Sequence, residues 1–220
     1  MAKGGGFENE VHAELSLWFS EGERDDLFGR SDGSGGRFTR RQKKGKDTAN
    51  QGGDICFCHP EGEPLIKIWS IECKTGYGAK NKVKDADGDV IKIPVYSPKQ
   101  KGVIVAWKDK VALSPWGVLD YIDSKQKKTV LQLMWEQCKR DADLTNRIPV
   151  LIFRRNLKLK CICIDTQYFY RLSGYFGEPG EAGAIIRLRV GKDQDLTLMN
   201  LKEFFAWTIN FRAVYVGNPL

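Results

Sequence analysis

Three residues in the first third of the chain have the side-chain types and spacing for metal and acid–base chemistry. Asp54 opens the run Asp54-Ile-Cys-Phe-Cys58, and Glu72 and Lys74 close the run Ile66-Lys-Ile-Trp-Ser-Ile-Glu-Cys-Lys74. Both runs are rich in β-branched and aromatic residues. They are bounded by Gly52-Gly53 and by His59-Pro-Glu-Gly-Glu-Pro64, so they read as two strands joined by a turn. Strand residues two apart share a face. Glu72 and Lys74 therefore point together and Cys73 points away. A hairpin pairing the two runs sets Asp54 beside Glu72. Close carboxylates repel and raise a pKa unless a cation lies between them. A hard divalent ion with oxygen ligands suits that arrangement.

Other elements must position this trio. Phe7 to Phe19 has helical periodicity, with Phe7, Val11, Leu15, Trp18 and Phe19 on one arc. Glu8 falls inside that arc, where a lone buried charge is costly. It is either a functional carboxylate or a first-turn acid complementing the helix dipole. His12, beside the arc, reads as a partly buried polar residue. Leu27-Phe28 begins a short strand ending near Arg30. After it comes Ser31-Asp-Gly-Ser34-Gly-Gly, followed by Arg37, Arg40, Arg41, Lys43, Lys44 and Lys46, six cations within ten positions. That density suits phosphate contacts and counterion release, and it is also the composition of a solvated loop. The pattern Gly-x-x-x-x-Gly-Lys-Ser/Thr is absent, which argues against nucleotide hydrolysis.

Beyond Lys74 the residues from about 79 to 113 read as an inserted β-hairpin region. Asp85-Ala-Asp87-Gly88-Asp89 resembles the start of a calcium loop, but its glycine and its final ligand are misplaced, so a hairpin turn is the better reading. Trp116 to Ile122 suggests a short helix. Thr129 caps a longer one through Ala142, with Val130, Leu131, Leu133, Met134 and Cys138 on its apolar arc. Gln137 lies inside that arc, either orienting a water or bonding in the core, and Asp141 also points inward without an assignable role. Pro149–Phe153 and Leu159–Ile164 read as core strands, Ile185–Val190 as a further strand, and Asn200 as the cap of a final helix.

The chain has 220 residues and a net charge of +7, and its pI is near 9.0, a surplus that points to a polyanionic partner. No transmembrane-length apolar run and no signal-peptide core are evident, so a soluble, cytoplasmic protein is expected. Six cysteines include two Cys-x-Cys pairs and no Cys-x-x-Cys. Buried free thiols in a reducing compartment fit better than zinc.

Asp54 followed by Glu72-Cys73-Lys74 resembles the PD-(D/E)XK nuclease motif. With the Glu8 helix, the Ser34 loop and the Gln137 helix around it, most of the chain is similar to phage-encoded Holliday-junction-resolvase-type endonucleases. Glycine occupies position 53, where the motif nominally has proline. The resemblance implies an α/β fold, a restriction-endonuclease-like core with a mixed central sheet flanked by helices, in a single domain interrupted after Gly78. It implies Mg²⁺ or Mn²⁺ held by Asp54, Glu72 and the Cys73 carbonyl, completed by Glu8 directly or through water. Lys74 would orient or help deprotonate the attacking water. Ser34 would touch the scissile phosphate, with Arg30, Arg37, Arg40 and Arg41 along the DNA backbone. A homodimer cutting branched DNA is the implied assembly; a non-specific or restriction-like endonuclease for ordinary duplex DNA and a non-catalytic DNA-binding module are the alternatives.

Overall fold

Helix α1 (Gly5–Phe19) buries Phe7, Val11, Leu15 and Phe19, as its periodicity requires. In the computed structural model the described residues are 5–31, 52–75, 80–82, 85–113, 119–123, 128–155, 158–180, 183–190 and 194–217. The chain divides into two compact units, one comprising Met1–Gly76 and Gln132–Leu220, the other Tyr77–Leu131.

In the first unit, β1 (Phe28–Arg30) pairs antiparallel with β2 (Ile55–Phe57). The expected hairpin between the Asp54 run and the Glu72 run does not form. A single turn of 3₁₀ helix at Pro60–Gly62 leads into α2 (Glu63–Ile68), so Ile66-Lys-Ile68 is helical rather than extended. The cause is local. Pro64 sits in the first turn, where its missing N–H costs nothing, Glu63 complements the helix N-terminus, and Lys67 bonds Glu63 at 3.1 Å one turn later.

The next strand, β3 (Trp69–Thr75), lies at one edge of a five-stranded sheet. It pairs in parallel with β8 (Ile148–Arg154), which is followed by β9 (Cys161–Asp165), β11 (Gln194–Asn200) and β10 (Ile186–Val190), all antiparallel. The sheet is mixed and flanked by helices, as expected. Helix α5 (Thr166–Phe176), capped by Asp165, and strand β11 are additions to the sequence reading. The final helix α6 (Leu201–Trp207) begins where expected, with Asn200 Oδ1 accepting from the Lys202 N–H at 2.9 Å.

Strand alternation sorts the two sheet faces. Ile71, Cys73, Val150, Ile152, Ile162 and Ile164 join the main core with α1, α5 and α6. Within it Trp18 stacks on Trp69 (5.7 Å between centroids) and on Phe205 (4.8 Å), and Trp69 donates to the Tyr168 hydroxyl at 2.7 Å. Residues of opposite parity, Glu72, Leu151 and Cys163, face the other way. That side is served by α4 (Val130–Asp143), from which Gln137 reaches Glu72.

Helix α4 starts after Thr129 as expected, but its buried arc is rotated. Leu133 is exposed, whereas Trp135 and Ala142 are fully buried with Leu131 and Cys138. Arg147, just before β8, is buried and donates to the carbonyls of Ile66 (2.9 Å) and Trp69 (3.5 Å), tying the end of α2 to the start of the parallel pair. On the outer surface, Arg154 grips Glu10 at 2.6 and 3.1 Å and Lys160 meets Glu14 at 2.7 Å, fastening α1 across the sheet.

None of the six cysteines is in a disulfide; Cys73, Cys138 and Cys163 are buried. Cys58, expected inside, is exposed because β2 ends at Phe57 and alternation no longer dictates its face.

In the second unit the inserted hairpin is nested. β4 (Lys80–Lys82) pairs with β7 (Val111–Leu113), and β5 (Lys92–Tyr96) pairs with β6 (Ile104–Asp109) between them. The tip is Ser97–Gly102, where the Ser97 hydroxyl accepts from the N–H groups of Lys99 and Gln100. Asp85–Asp89 is a turn, closed by Asp85 Oδ1 accepting from the N–H groups of Asp87 and Asp89, but it links β4 to β5, which do not pair with each other. A short helix, α3, spans Asp120–Asp123; Trp116 lies outside the described residues. No helix among the described residues is long and apolar enough to cross a membrane.

Candidate active site

Among the described residues β3 pairs with a strand, β8, on one side, and the other side receives Asp54. The Asp54 N–H donates to the Ile71 carbonyl at 2.7 Å, and Asp54 Oδ2 accepts from the Cys73 N–H at 2.9 Å. The Ser31 N–H then donates to the Asp54 carbonyl at 2.9 Å, which fixes the end of β1 to the same point. Within a strand a residue's N–H and carbonyl face the same edge. The Cys73 carbonyl therefore lies on the Asp54 side of β3, while its thiol is turned into the core.

Such a close approach requires the glycine at 53. Its φ is +89°, and a Cβ there would stand 2.6 Å from the Ile71 carbonyl oxygen and 3.0 Å from its nitrogen. Proline, with φ near −65°, could not adopt that backbone. Glycine at 53 is a condition of how this chain places Asp54 against β3.

Glu72 and Lys74 share the face expected of them. Lys74 Nζ bonds Glu72 Oε1, and Gln137 Nε2 donates to the same oxygen at 2.7 Å. Asp54 and Glu72 are both buried. Burial, above all, pushes Glu72 up to about 7, with the Asp54 charge adding to it and Lys74 opposing. Asp54 is also raised, first by burial; the Cys73 N–H and Lys74 act against the shift, and Glu8 and Asp141 reinforce it.

Burial by itself would lower the Lys74 ammonium. The attraction of Glu72, its hydrogen bond and the Asp54 charge outweigh burial, so the net shift is upward. Asp141, which had no role in the sequence reading, is half-buried on α4. Burial raises its carboxyl, and its charge acts on both Asp54 and Glu72.

Glu8 is bound by Arg30, its charge reaching Asp54 from one turn inside α1. Arg30 is thus occupied at Glu8, with its side chain still half-exposed. His12 Nδ1 is buried with no hydrogen-bond partner among the described residues, and burial together with the Arg30 charge lowers its pKa. Ser34, Arg37, Arg40, Arg41, Lys43, Lys44 and Lys46 lie outside the described residues.

The donor set suits a hard dication. Two buried carboxylates share one neighbouring cation, Lys74, and the ligands on offer are oxygens. Among the described residues no three His, Cys, Asp or Glu side chains form a complete ligand cluster. A cation here would rest on Asp54, Glu72 and main-chain oxygen. Searches against protein-family models, curated proteins and solved structures found no match to this chain.

Proposed function

We propose that the chain is a metal-dependent endonuclease that hydrolyses DNA phosphodiester bonds, acting as a homodimer on branched substrates such as four-way junctions. The observation that carries this reading is the meeting of Asp54, Glu72 and Lys74 at the open edge of β3. Mg²⁺ or Mn²⁺ held by Asp54, Glu72 and the Cys73 carbonyl would supply charge stabilisation at the phosphoryl group and lower the pKa of water.

The protein's own groups do the rest. Gln137 restrains Glu72 Oε1 and keeps that carboxylate in one rotamer. Lys74 is held protonated by Glu72 and Asp54, and a cation sharing those charges would weaken that hold. Lys74 would orient the attacking water and help to deprotonate it. Arg30 steadies Glu8 at the side of Asp54. The basic stretch from Ser34 to Lys46 would hold the backbone phosphates on either side of the scissile bond.

Cleavage of a synthetic four-way junction and of supercoiled plasmid, each with Mg²⁺, tests the reading. The wild-type protein is expected to cut the junction in preference, with Asp54→Ala and Lys74→Ala reduced by at least about 10²-fold. Undiminished cutting by Asp54→Ala would overturn the proposal. So would wild-type protein that binds DNA without cleaving it.

A further inference from the structure

The second unit contains a surface that the hydrolytic site does not use. In the β5–β6 ribbon, strand pairing sets Pro94 against Trp107 and Tyr96 against Ile104, which gathers these four side chains on one face. Trp107 is 61% exposed and Tyr96 57%. The first unit, by contrast, interlocks Trp18 and Trp69 in an aromatic cluster with Phe205 and Phe211. A two-stranded ribbon gains little stability from leaving a tryptophan and a tyrosine in water.

The surroundings identify an occupant. Tyr77–Leu131 holds eleven lysines against six aspartates, with no glutamate and no arginine. Lys92, Lys99, Lys101, Lys108 and Lys110 are exposed along the ribbon and its tip. The ribbon's one acidic side chain, Asp109, is met by Lys82 at 2.7 Å. Aromatic faces flanked by cations match a polyanion whose bases are free to stack. A ribbon reading intact duplex needs hydrogen-bonding side chains for base edges, and this face offers apolar and aromatic groups instead.

We infer that the β5–β6 ribbon is a contact for single-stranded or unstacked DNA. Trp107 and Tyr96 stack on bases, and Lys92, on the same face, with Lys99 and Lys101 at the tip, follows the phosphates. This rests on the reading of the chain as a DNA-acting protein, and it would restrict the substrate to DNA with unpaired bases.

The test is fluorescence anisotropy of the full chain in EDTA, where hydrolysis plays no part. The probes are a thymidine oligomer of about 12 nucleotides and a blunt duplex. Trp107→Ala is expected to weaken single-strand binding about tenfold, and Trp107→Phe to restore most of it. Duplex affinity should move by less than about twofold for either variant. The pair Lys99→Ala with Lys101→Ala should reduce the salt dependence of single-strand binding by about 1.4 in log–log slope. Because Trp107 is exposed, the melting temperature should not change.

Equal losses on both probes, or no loss on either, would overturn the inference. So would unchanged DNA binding accompanied by a dimer-to-monomer shift in sedimentation for Trp107→Ala, which would assign the face to a second copy. Trp107-dependent binding without any cleavage in Mg²⁺ would sink the endonuclease reading alone. Cleavage with Trp107-independent binding would sink this one alone.

Discussion

Gln137 Nε2 donates to Glu72 Oε1 at 2.7 Å, so one residue of α4 orients a carboxylate 65 positions earlier in the chain. A hydrogen bond to a charged acceptor contributes about 1.5–3 kcal/mol. Gln137→Ala should therefore lower kcat by roughly tenfold and weaken Mn²⁺ binding, while DNA affinity in EDTA stays unchanged. Calorimetry with Mn²⁺ and single-turnover kinetics on a junction would read the two effects separately. An unaltered metal affinity would count against this role for Gln137.

Metal-free stability should depend on pH through the buried carboxylates. Asp54 and Glu72 are raised above their ordinary values, Glu72 to about 7. Between about pH 4.5 and 7 the folded state thus holds protons that the unfolded state has released, and stability falls as pH rises through that window. For Glu72 the difference is on the order of 3 kcal/mol. Deprotonated carboxylates bind cations, so the stabilisation by Mn²⁺ should grow from pH 5.5 to 7.5. Thermal melts in EDTA and in Mn²⁺ at the two pH values test both signs. A stability profile flat across the window would contradict the burial argument.

Gly53→Ala should be disruptive out of proportion to one methyl group. It imposes a left-handed backbone on alanine and drives a Cβ to 2.6 Å from the Ile71 carbonyl oxygen. A cost of at least about 2 kcal/mol is expected, together with displacement of Asp54 from the Cys73 N–H. Urea denaturation gives the first quantity, and loss of the calorimetric Mn²⁺ signal reports the second. If alanine left both unchanged, the close approach of this turn to β3 would not be what holds Asp54.

Arg147 offers a test of how α2 is tied to β8. Arg147→Ala leaves the Ile66 and Trp69 carbonyls without their donor and opens a cavity, at a cost of about 2–4 kcal/mol. Arg147→Met keeps most of the packed stem and removes Nε and Nη2, which are buried with no partner among the described residues. It should cost less than about 1.5 kcal/mol. Chemical denaturation of the two variants side by side decides the point. Equal losses would mean that the hydrogen bonds, and not the packing of the stem, fix this junction.

Much of the site was legible because it follows from local rules. The two-residue period of a strand places Glu72 and Lys74 on one face and Cys73 on the other, whatever the strand pairs with. Asn200 announces a helix because a capping side chain acts on its own nearby backbone. The helical stripe of Phe7, Val11, Leu15 and Phe19 is equally local. Alternating apolar residues in Ile66-Lys-Ile-Trp misled, since so short a run satisfies a strand and a helix turn equally and Pro64 decides for the helix.

Tertiary structure alone decided the rest. β2 could pair with β1 or with β3, and only the assembled sheet shows that it joins β1, leaving the edge of β3 to Asp54. The rotation of α4, which buries Trp135 and exposes Leu133, depends on the sheet face it meets. That rotation also brings Gln137 onto Glu72 and sets the Asp141 charge near both acids. The sequence determined which groups could act together, because alternation and capping operate within a few residues. Their common location was decided by long-range packing, which brings together residues far apart in the chain and sets how deeply their charges are buried.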